Sequence, residues 1–491
     1  MALPHDQGES PPRRTSRALI AALLAVAALA GCRLWLADSL PLTDTTEARF
    51  GEIARKMVET GDWLTPQHDY GVPYLAKPPL AFWLSAVGIG LLGASELGPR
   101  VLILGAAFGF CALYFACVRS WLGTQAALAS VIMLMSSLVF FVSMAAVMTD
   151  MVFTVCVATA WLAFWRRHEG GSGASEATMY LALGLGLLAK GPLAAVLFGV
   201  PVLAWSLGSG RAADIWRRFA WLKGALLAAA VAVPWYVAAE LKNPGFLEYF
   251  LVGEHVQRFL VPDWSGDLYG RAHDAPRGTI WLYFIAGALP WSVLCVPALV
   301  AARATVRRNW RERRGLVRFA LASAVTPLAL FTLSRNIVWP YVLPAIPPAI
   351  LAVVALLAPA REQALDLSRL AWAGVLSAAL LTALVVANAP FIERHTQRSV
   401  VAGVELRHPH REVPVYYWQS RYFSADYYSA GAASVVSDGM LIERALAERR
   451  LFCLVVAEAR RASLPDALLA RLHHVGDIGD FALFEPVYAG S

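Results

Sequence analysis

Two sets of charged residues lie beside the apolar segments of this chain, and their chemistry suits group transfer. The acids are Asp44, Glu47, Asp150 and Glu254, and the cations are Lys77, Lys190, Arg258 and Arg335. A carboxylate can act as a general base or bind a divalent metal ion, and a cation can bind a phosphate leaving group. The combination predicts displacement at a lipid-linked phosphate. A lipid carrier is the alternative from another class, but a carrier needs polar residues near the bilayer midplane, where they are sparse.

The composition indicates a membrane protein. Of the 491 residues, 58% are hydrophobic and 16% are charged, against roughly 45–50% and about 25% in soluble proteins. The apolar residues form blocks of about 20, which is the length of a helix that crosses a bilayer. The chain as a whole is therefore neither a soluble enzyme, nor a coiled coil, nor a disordered protein. The net charge of +7 comes from arginines between the blocks, as the positive-inside rule predicts, so we expect no nucleic-acid partner.

Loop charge decides how many of the twelve apolar segments cross the membrane. The weakest, 78–93, has only 16 residues and begins with two prolines. If it stays at the outer surface, the arginine-rich loops all fall on the cytoplasmic side, whereas a crossing would place six arginines between 303 and 314 outside. We therefore expect eleven spans, with the N-terminus inside and the C-terminus outside. The first, 17–36, is expected to be an uncleaved span, and a signal cleaved before Cys32 is the alternative.

This layout divides the chain into a tail, a membrane domain and a C-terminal domain. The predicted boundaries are 1–16 for a cytoplasmic tail, 17–389 for a transmembrane catalytic domain and 390–491 for a periplasmic α/β domain. The first periplasmic loop, 37–98, is expected to contain amphipathic helices. In the C-terminal domain, strand-like runs occur at 413–418, 451–456 and 481–484, and helix-like runs occur at 441–449 and 464–473.

The first loop contains the pattern of an amphipathic helix lying along the membrane. The residues of its apolar face are Phe50, Ile53, Met57 and Val58, and those expected to face solvent are Glu52, Arg55, Lys56 and Glu59. The threonines before this helix are expected to cap its N-terminus. Asp44 is interpreted either as a further capping residue or as an acid placed above the lipid headgroups.

Five further residues place charge at or near the membrane. Lys77 precedes two prolines that fix the backbone and present its ammonium group at the surface, where it suits a lipid phosphate. Asp150 and Lys190 each interrupt an apolar run, which is costly and marks a functional site by default. Glu254 and Arg258 are four residues apart and would share a helix face, either in a site or as a surface ion pair.

Seven short motifs, in this order, resemble the GT-C glycosyltransferases of the protein O-mannosyltransferase and lipid A aminoarabinose transferase type. They read EARFGEIA at 47–54, GDW at 61–63, KPP at 77–79, TDM at 149–151, LAKG at 188–191, EHVQRF at 254–259 and PYVLP at 340–344. The sequence contains no Walker motif, zinc-ligand cluster or nucleophile elbow. The resemblance implies a polytopic α-helical membrane protein of GT-C type.

The resemblance also implies an activity. It predicts a multi-pass enzyme of the bacterial inner membrane that takes a sugar from undecaprenyl phosphate on the periplasmic side and transfers it with inversion at the anomeric carbon. The acceptor expected first is a lipid A phosphate, which would receive an aminoarabinose-like sugar. A protein hydroxyl or a surface glycan is the alternative acceptor, and a lipid-linked sugar carrier is the alternative class. The expected partners are the donor, the acceptor and membrane lipids.

Roles are carried over residue by residue. Asp150 matches the second catalytic acid, whereas the usual position of the first acid is occupied by Thr46, so Asp44 or Glu47 takes that role. The residues expected at the donor phosphate are Lys77, Lys190, Arg49 and Arg258, and those expected near the substrate or a metal are Glu254, His255 and Tyr341. A divalent metal ion is the one cofactor considered, and its candidate ligands are Asp44, Glu47 and Asp150.

Overall fold

The computed structural model describes residues 12–261, 264–270, 273–358, 367–409 and 413–488. Residues 1–11 of the predicted tail lie outside these ranges. The chain divides into two compact units, and each is described by itself. The first comprises Met1–Leu36, Tyr74–Ala81 and Ile103–Thr382, and the second comprises Ala37–Pro73, Phe82–Leu102 and Ala383–Ser491.

The first unit is helical. Its α-helices are Val101–Leu122, Thr124–Ser136, Leu138–Ser143, Thr149–His168, Gly173–Lys190, Leu193–Gly208, Ala212–Arg218, Trp221–Lys242, Arg258–Leu260, Thr279–Gly287, Trp291–Ala301, Arg303–Glu312, Arg314–Thr332, Ile346–Leu357 and Leu367–Ala387. A π-helical segment, Glu248–Gln257, and a 3-10 helix, Trp339–Ala345, complete it. Four helices contribute residues to both units: Pro12–Ser39, Leu80–Leu92, Val101–Leu122 and Leu367–Ala387.

Six helices in the described part of the chain are long and apolar enough to cross a membrane. They are Arg17–Ser39, Val101–Leu122, Trp221–Lys242, Arg314–Thr332, Trp339–Leu357 and Leu367–Ala387. A seventh span is counted if Thr279–Gly287 and Trp291–Ala301, which are bent by 81°, form one. Length and composition therefore support several membrane spans but do not reach the expected eleven.

Three predicted segments are not continuous α-helices. The segment 123–143 divides at Ser137, where the backbone is extended. The segment 278–301 bends at Pro290, because a proline cannot donate the hydrogen bond that would continue the first helix. The segment 339–357 begins with 3-10 turns, which contain two prolines. At each break, backbone N–H and C=O groups lack the partners that a regular α-helix would give them.

Close packing of small residues joins the helix Gly173–Lys190 to the helix Trp221–Lys242. A Cβ atom on Gly224 would lie 1.9 Å from the ring of Tyr180, and one on Gly184 would lie 2.8 Å from Val231. Since real Cβ contacts are never this short, both positions require glycine. The preceding helix, Thr149–His168, joins Gly173–Lys190 through a short turn and runs antiparallel to it.

The second unit contains a helix from the first loop and a C-terminal α/β region. Its α-helices are Thr46–Thr60, Ala389–Arg394, Arg398–Arg407, Phe423–Tyr428, Met440–Ala447 and Asp466–Leu469, with a 3-10 helix at Glu458–Ser463. Its strands are β1 (Gln67–Asp69), β2 (Val72–Pro73), β3 (Val415–Trp418), β4 (Ala433–Val436), β5 (Cys453–Ala457), β6 (Leu472–Ile478) and β7 (Phe481–Pro486).

The expected orientation of the helix Thr46–Thr60 is wrong in part. Glu52, Arg55 and Lys56 are buried, whereas Val58 is exposed. The charged residues are buried because they pair: the Arg55 guanidinium donates to Glu52 at 2.6 and 2.8 Å, and Lys56 Nζ lies 3.6 Å from Asp69. The expected threonine cap is also absent, because the Thr45 side chain forms no capping hydrogen bond in the described structure.

The C-terminal strands form one mixed sheet in the order β4-β3-β5-β7-β6. Strand β3 pairs in parallel with β4 and β5, and β7 pairs antiparallel with β5 and β6. Apolar side chains cover both faces. One face packs around Ile442, Phe452 and Leu454, and the other packs around Val404 and Leu483. The sheet is therefore buried on both sides, as parallel strands usually are.

Three of the five strands of this sheet lie at the predicted runs, and two were missed. Strands β3, β5 and β7 overlap the predicted strands, and the helix Met440–Ala447 overlaps the predicted helix 441–449. The predicted helix 464–473 is wrong, because a four-residue helix is followed at once by β6. Strand β6 escaped prediction because its histidines are exposed and its pairing with β7 contains an irregularity after His474.

We expect the substitution Ile442→Ala to loosen the C-terminal sheet. Ile442 is 0% exposed, whereas Leu441 beside it is 47% exposed. Removing a buried isoleucine side chain costs about 2–5 kcal/mol, so cleavage within residues 413–488 by a protease under native conditions should accelerate by roughly thirtyfold or more. The matched substitution Leu441→Ala should change the rate little, and equal rates in the two variants would contradict this packing.

Candidate active site

Asp150 and Lys190 meet at the adjacent ends of two antiparallel helices. Asp150 lies in the first turn of Thr149–His168, and Lys190 is the last residue of Gly173–Lys190. The helix dipole favours an acid at an N-terminus and a cation at a C-terminus, so both residues suit their positions. Lys190 Nζ lies 2.5 Å from Asp150 Oδ1, and the side chains are 11% and 10% exposed. The two residues form a buried ion pair.

Tyr341 and His255 surround Lys190 on other sides. The ammonium group lies 4.3 Å from the centre of the Tyr341 ring, which is a cation–π contact. His255 Nε2 lies 3.2 Å from the carbonyl oxygen of Lys190, and Nδ1 lies 2.8 Å from that of Phe250. Burial lowers the pKa of His255, although both carbonyls favour the charged form. A neutral imidazole has one N–H, so His255 in that form donates to only one of these two carbonyls, those of Lys190 and Phe250.

Glu254 binds two cations from different segments. Its Oε2 lies 2.7 Å from Lys77 Nζ, and Arg258 Nη1 lies 2.9 Å from both carboxylate oxygens. Tyr249 donates its hydroxyl to Glu254 at 3.2 Å, and Arg258 Nη2 lies 3.2 Å from Asp267. Burial raises the pKa of Glu254, but Lys77 and Arg258 outweigh this effect and hold the pKa below its ordinary value. The carboxylate therefore stays ionised and fixes both cations.

Irregular segments position these side chains. Glu254 lies in the π-helical segment Glu248–Gln257, Tyr341 lies in the 3-10 helix Trp339–Ala345, and Lys77 lies in the loop before Leu80. Such segments are frequent at functional sites because they aim side chains that a regular helix would place elsewhere. Of the predicted site residues, the first unit contains Lys77, Asp150, Lys190, Glu254, His255, Arg258 and Tyr341, and each has at least one contact with another of this set.

Asp44 lies in the second unit, where Ser424 binds its carboxylate. The backbone N–H of Ser424 donates to Asp44 Oδ1 at 3.1 Å, and the Ser424 hydroxyl donates to Oδ2. The backbone N–H of Asp44 donates to the His395 carbonyl at 2.8 Å. Burial raises the pKa of Asp44, and the Ser424 hydrogen bonds partly offset this by favouring the ionised form.

Glu47 and Arg49 lie in the same unit and have different surroundings. Glu47 forms an ion pair with Arg100, whose Nη2 is 2.8 Å away. The Arg49 guanidinium lies over the rings of Phe50 and Phe423, at 5.6 and 5.7 Å from their centres. Glu47 is therefore neutralised by a cation, whereas Asp44 is bound by neutral donors.

The expected metal site finds no support. Nowhere in the described ranges do three or more His, Cys, Asp or Glu side chains form a group that could hold a metal ion. The proposed ligands are each engaged otherwise: Asp150 by Lys190, Glu47 by Arg100, and Asp44 by Ser424.

Sequence reasoning missed several partners of the predicted residues. They are Arg100, Tyr249, Asp267 and Ser424. Asp267 could have been found from the sequence, because it lies in a polar stretch between apolar segments. Ser424 had none, since it is separated from Asp44 by 380 positions and its residue type is common on surfaces.

The family model for dolichyl-phosphate-mannose-protein mannosyltransferases matches residues 76–237. This stretch includes Lys77, Asp150 and Lys190. Over this stretch, about a third of its length, the chain is similar to this glycosyltransferase family. The resemblance expected from the motifs is thereby confirmed.

Two curated relatives extend the match beyond this domain. The undecaprenyl phosphate-alpha-4-amino-4-deoxy-L-arabinose arabinosyl transferase of Aeromonas hydrophila is 31% identical over 330 residues, which are 65% of this chain and 56% of the relative. The protein of that name from Erwinia tasmaniensis is 31% identical over 317 residues, which are 62% and 53%. The chain therefore spans a little over half the length of the curated relatives it matches.

Two solved structures share the fold. ArnT from Cupriavidus metallidurans, crystallised with undecaprenyl phosphate, has a TM-score of 0.76 at 18% identity and covers 96% of this chain and 98% of its own. The oligosaccharyltransferase of Archaeoglobus fulgidus has a TM-score of 0.51 at 11% identity, with 90% and 70% covered. The chain therefore has the fold of these two structures.

We expect Glu254→Gln to destabilise the protein. Glu254 keeps its charge above the ordinary carboxyl pKa of 4.5, and its contribution is lost only as the pH falls through its lowered pKa. At pH 7 the substitution leaves Lys77 and Arg258 without their shared partner. We expect the free energy of unfolding to fall by about 1–3 kcal/mol. This is less than for a fully buried ion pair, because both cations are partly exposed.

The unfolding temperature of the detergent-purified protein measures this loss. The control is Glu448→Gln, which removes the acid from an exposed pair with Arg444 and should leave the temperature unchanged. Equal shifts in the two variants would show that Glu254 does not hold the cluster together.

Proposed function

We propose that the chain is a glycosyltransferase of the bacterial inner membrane. It moves an aminoarabinose-like sugar from undecaprenyl phosphate to an acceptor on the periplasmic side, in first place a phosphate of lipid A. The observation that carries this proposal is the cluster of Lys77, Lys190 and Arg258 beside buried carboxylates. Two of these cations, Lys77 and Lys190, lie in the stretch that matches a family of lipid-phosphate-sugar transferases. The names of the relatives, and the lipid bound in the related ArnT structure, support the donor.

The proposal includes a topology. Eleven spans place 1–16 in the cytoplasm, 17–389 as the transmembrane catalytic domain with its loop 37–98 outside, and 390–491 as a periplasmic domain. The arginine-rich helix Arg303–Glu312 supports this arrangement, because it joins two apolar helices and would lie on the cytoplasmic side. The short helix Leu80–Leu92 supports it too: 13 residues reach about 20 Å, less than the roughly 30 Å of the hydrocarbon core.

The three cations serve the leaving group. The bond between the anomeric carbon and the phosphate oxygen breaks with both electrons on oxygen, so the departing undecaprenyl phosphate gains negative charge. Lys77, Lys190 and Arg258 stabilise that charge. Arg49 is a further candidate for this role. Glu254 and Asp150 hold the two lysines in position beforehand, and His255 and Tyr341 fix the surroundings of Lys190.

The carboxylates serve the sugar and the acceptor. An acceptor phosphate is already ionised and attacks the anomeric carbon without a base, whereas a protein hydroxyl or a glycan hydroxyl must lose a proton. Asp150 is assigned to orient the sugar. We assign the role of the first acid to Asp44 rather than Glu47, because Arg100 already neutralises Glu47, while burial raises the pKa of Asp44 above the ordinary aspartate value.

Replacing Lys77 by Met should abolish turnover and weaken donor binding by tenfold or more, because a charge-assisted contact to the donor phosphate is removed. The measurement is binding of undecaprenyl phosphate to the purified protein. Lys223→Met is the control, since Lys223 is exposed in the helix Trp221–Lys242 and has no assigned role. Equal losses in both variants would show that positive charge in general matters, and the phosphate site would have to be dropped.

Replacing Asp150 by Asn should leave the donor bound but prevent transfer. The assay supplies labelled undecaprenyl-phosphate-aminoarabinose and lipid A to the purified protein, and mass spectrometry detects the modified lipid A. A carrier would instead move the labelled donor across vesicle membranes without consuming acceptor. If the Asp150→Asn variant still transports the donor in this way, the enzyme proposal is overturned. If sugar is transferred only to a protein or a glycan, lipid A is not the acceptor.

Replacing Ser424 by Ala should shift the acid limb of the pH–rate profile to higher pH. The Ser424 hydroxyl stabilises the ionised carboxylate of Asp44, so its loss raises the pKa of Asp44 further above the ordinary value. Asp44 must be ionised to take a proton or to pair with the sugar amine. As the pH falls, the variant would therefore lose activity at a higher pH than the unaltered chain. Ser399→Ala, which removes a hydroxyl bound to Glu393, is the control. An unshifted acid limb would exclude Asp44 from this role.

A further inference from the structure

Arg100 is a buried arginine that has no role of its own in the proposed reaction. It lies in the second unit, immediately before the helix Val101–Leu122, and is 3% exposed. A guanidinium group that is removed from water is costly unless its charge and its N–H donors are satisfied. The partners of Arg100 therefore indicate what this buried charge does.

The guanidinium group of Arg100 donates four hydrogen bonds from its three nitrogen atoms. Nε donates to Glu47 Oε1 at 3.0 Å, and Nη2 lies 2.8 Å from the other carboxylate oxygen. The remaining acceptors are backbone carbonyls: Ala37 at 2.9 Å and Leu40, which accept from Nη1, and Pro41, which accepts from Nη2 at 3.1 Å. One side chain thus binds a carboxylate and three carbonyls at once.

These partners lie on both sides of Asp44 in the chain. Residues 40–45 join the helix that ends at Ser39 to the helix that begins at Thr46. Pro41 lies three residues before Asp44, and Glu47 lies three residues after it. The guanidinium group therefore holds both ends of the turn that carries Asp44.

A helix cap alone would not need this arrangement. The last carbonyls of a helix lack partners inside it, and that of Ala37 is one of them. The hydrogen bonds of Arg100 continue past the helix end to Leu40 and Pro41, and then reach the acid at the start of the next helix. Arg100 therefore fixes the loop as well as the helix end.

Two backbone hydrogen bonds show that the position of Asp44 depends on the path of this loop. The N–H of Leu42 donates to the Tyr428 hydroxyl at 2.8 Å, and the N–H of Asp44 donates to the His395 carbonyl at 2.8 Å. Movement of the loop would break both bonds and displace the Asp44 carboxylate.

We propose that Arg100 is a positioning residue for the transfer reaction and that Glu47 is its counter-charge. Arg100 fixes the backbone on both sides of Asp44, so the carboxylate is in place before sugar and acceptor react. A lysine cannot replace it, because an ammonium group has three N–H donors on one nitrogen atom and cannot reach four separate acceptors. This inference rests on the proposed function, since it takes Asp44 as the first acid.

Arg100→Lys tests the proposal because it keeps the positive charge and removes the planar fork of donors. We expect kcat for sugar transfer to fall by roughly tenfold to a hundredfold, since small displacements of a reacting group cost this much. Binding of undecaprenyl phosphate should not change. Full activity of Arg100→Lys would show that charge alone suffices and would overturn the proposal.

Arg313→Lys is the matched control for this substitution. Arg313 also donates to two backbone carbonyls, those of Ala355 at 2.9 Å and Ala358 at 3.2 Å, and it has no assigned role. This variant should transfer sugar as the unaltered chain does. Equal losses in the two variants would show that Arg100 acts through general stability, which would also overturn the proposal.

Hydrogen exchange of the backbone amides in residues 42–48, followed by mass spectrometry, tests the positioning itself. Arg100→Lys should accelerate exchange in this segment by about tenfold or more, because local opening becomes easier. Arg313→Lys should leave the exchange of this segment unchanged. Unchanged exchange in Arg100→Lys would show that Arg100 does not hold the segment and would overturn the proposal, whether or not the chain transfers a sugar.

Glu47→Gln separates the counter-charge from a catalytic acid. The amide oxygen of the variant can still accept from Arg100, so transfer should fall by about tenfold, the effect of a weakened charge-assisted hydrogen bond. Asp44→Asn should abolish transfer. Equal abolition by Glu47→Gln would overturn the role given to Glu47. Normal transfer by Asp44→Asn would overturn the proposed role of Asp44 together with the positioning role, whereas unchanged exchange in Arg100→Lys would overturn the positioning role alone.

Discussion

The structure depends on one constraint: a charge that is removed from water needs an opposite charge beside it. An unpaired buried ammonium or carboxylate costs several kcal/mol, so each must find a partner or lose its charge. Lys190 meets this requirement with Asp150, and Lys77 and Arg258 meet it with Glu254. Because these partners come from distant parts of the chain, pairing them fixes the ends of two helices and two irregular segments in one arrangement.

The same constraint explains why the helix Thr46–Thr60 was misread. A charged face is expected to meet solvent, because a sequence shows which residues are charged but not what covers them. Here Glu52 and Asp69 supply counter-charges for Arg55 and Lys56, and Arg421 in turn binds Asp69 at 2.6 Å. The counter-charges of Arg55 and Lys56 are close in the chain, but Arg421, which binds Asp69 in turn, lies 352 positions from it. The burial of this face therefore had no local signal.

Sequence reasoning succeeded where chemistry is local and failed where it is not. Charges that interrupt apolar runs singled out Asp150 and Lys190, since such residues are energetically costly in a membrane. The structure pairs the two residues, and their role in catalysis stays a prediction. The four-residue spacing of Glu254 and Arg258 predicted their contact, although the segment is π-helical rather than α-helical. In contrast, the hydrogen bonds of Ser424 to Asp44 had no local signal, and strand β6 has too little alternation of polar and apolar residues to be recognised.

Continuous helices were also easier to predict than their breaks. Ser137 ends a helix inside an apolar run, and no glycine or proline marks the place. Pro290 does mark the bend between Thr279–Gly287 and Trp291–Ala301. The mean hydropathy of the whole segment does not show this bend, because one proline changes the mean little. Counting apolar residues therefore gives the number of segments more readily than the number that cross a membrane as one helix.

The charge balance of the cluster also bears on the donor. The cations Lys77, Lys190 and Arg258 are matched by Asp150, Glu254 and Asp267, so this part of the described structure is neutral before a ligand arrives. A phosphodiester of a neutral sugar would add an uncompensated negative charge. A donor whose sugar carries a protonated amine has no net charge, and its amine can pair with the carboxylate that a lysine leaves when it turns to the phosphate. Under the proposed function, neutrality of this cluster is one reason to propose an amino sugar rather than a neutral hexose as the transferred group.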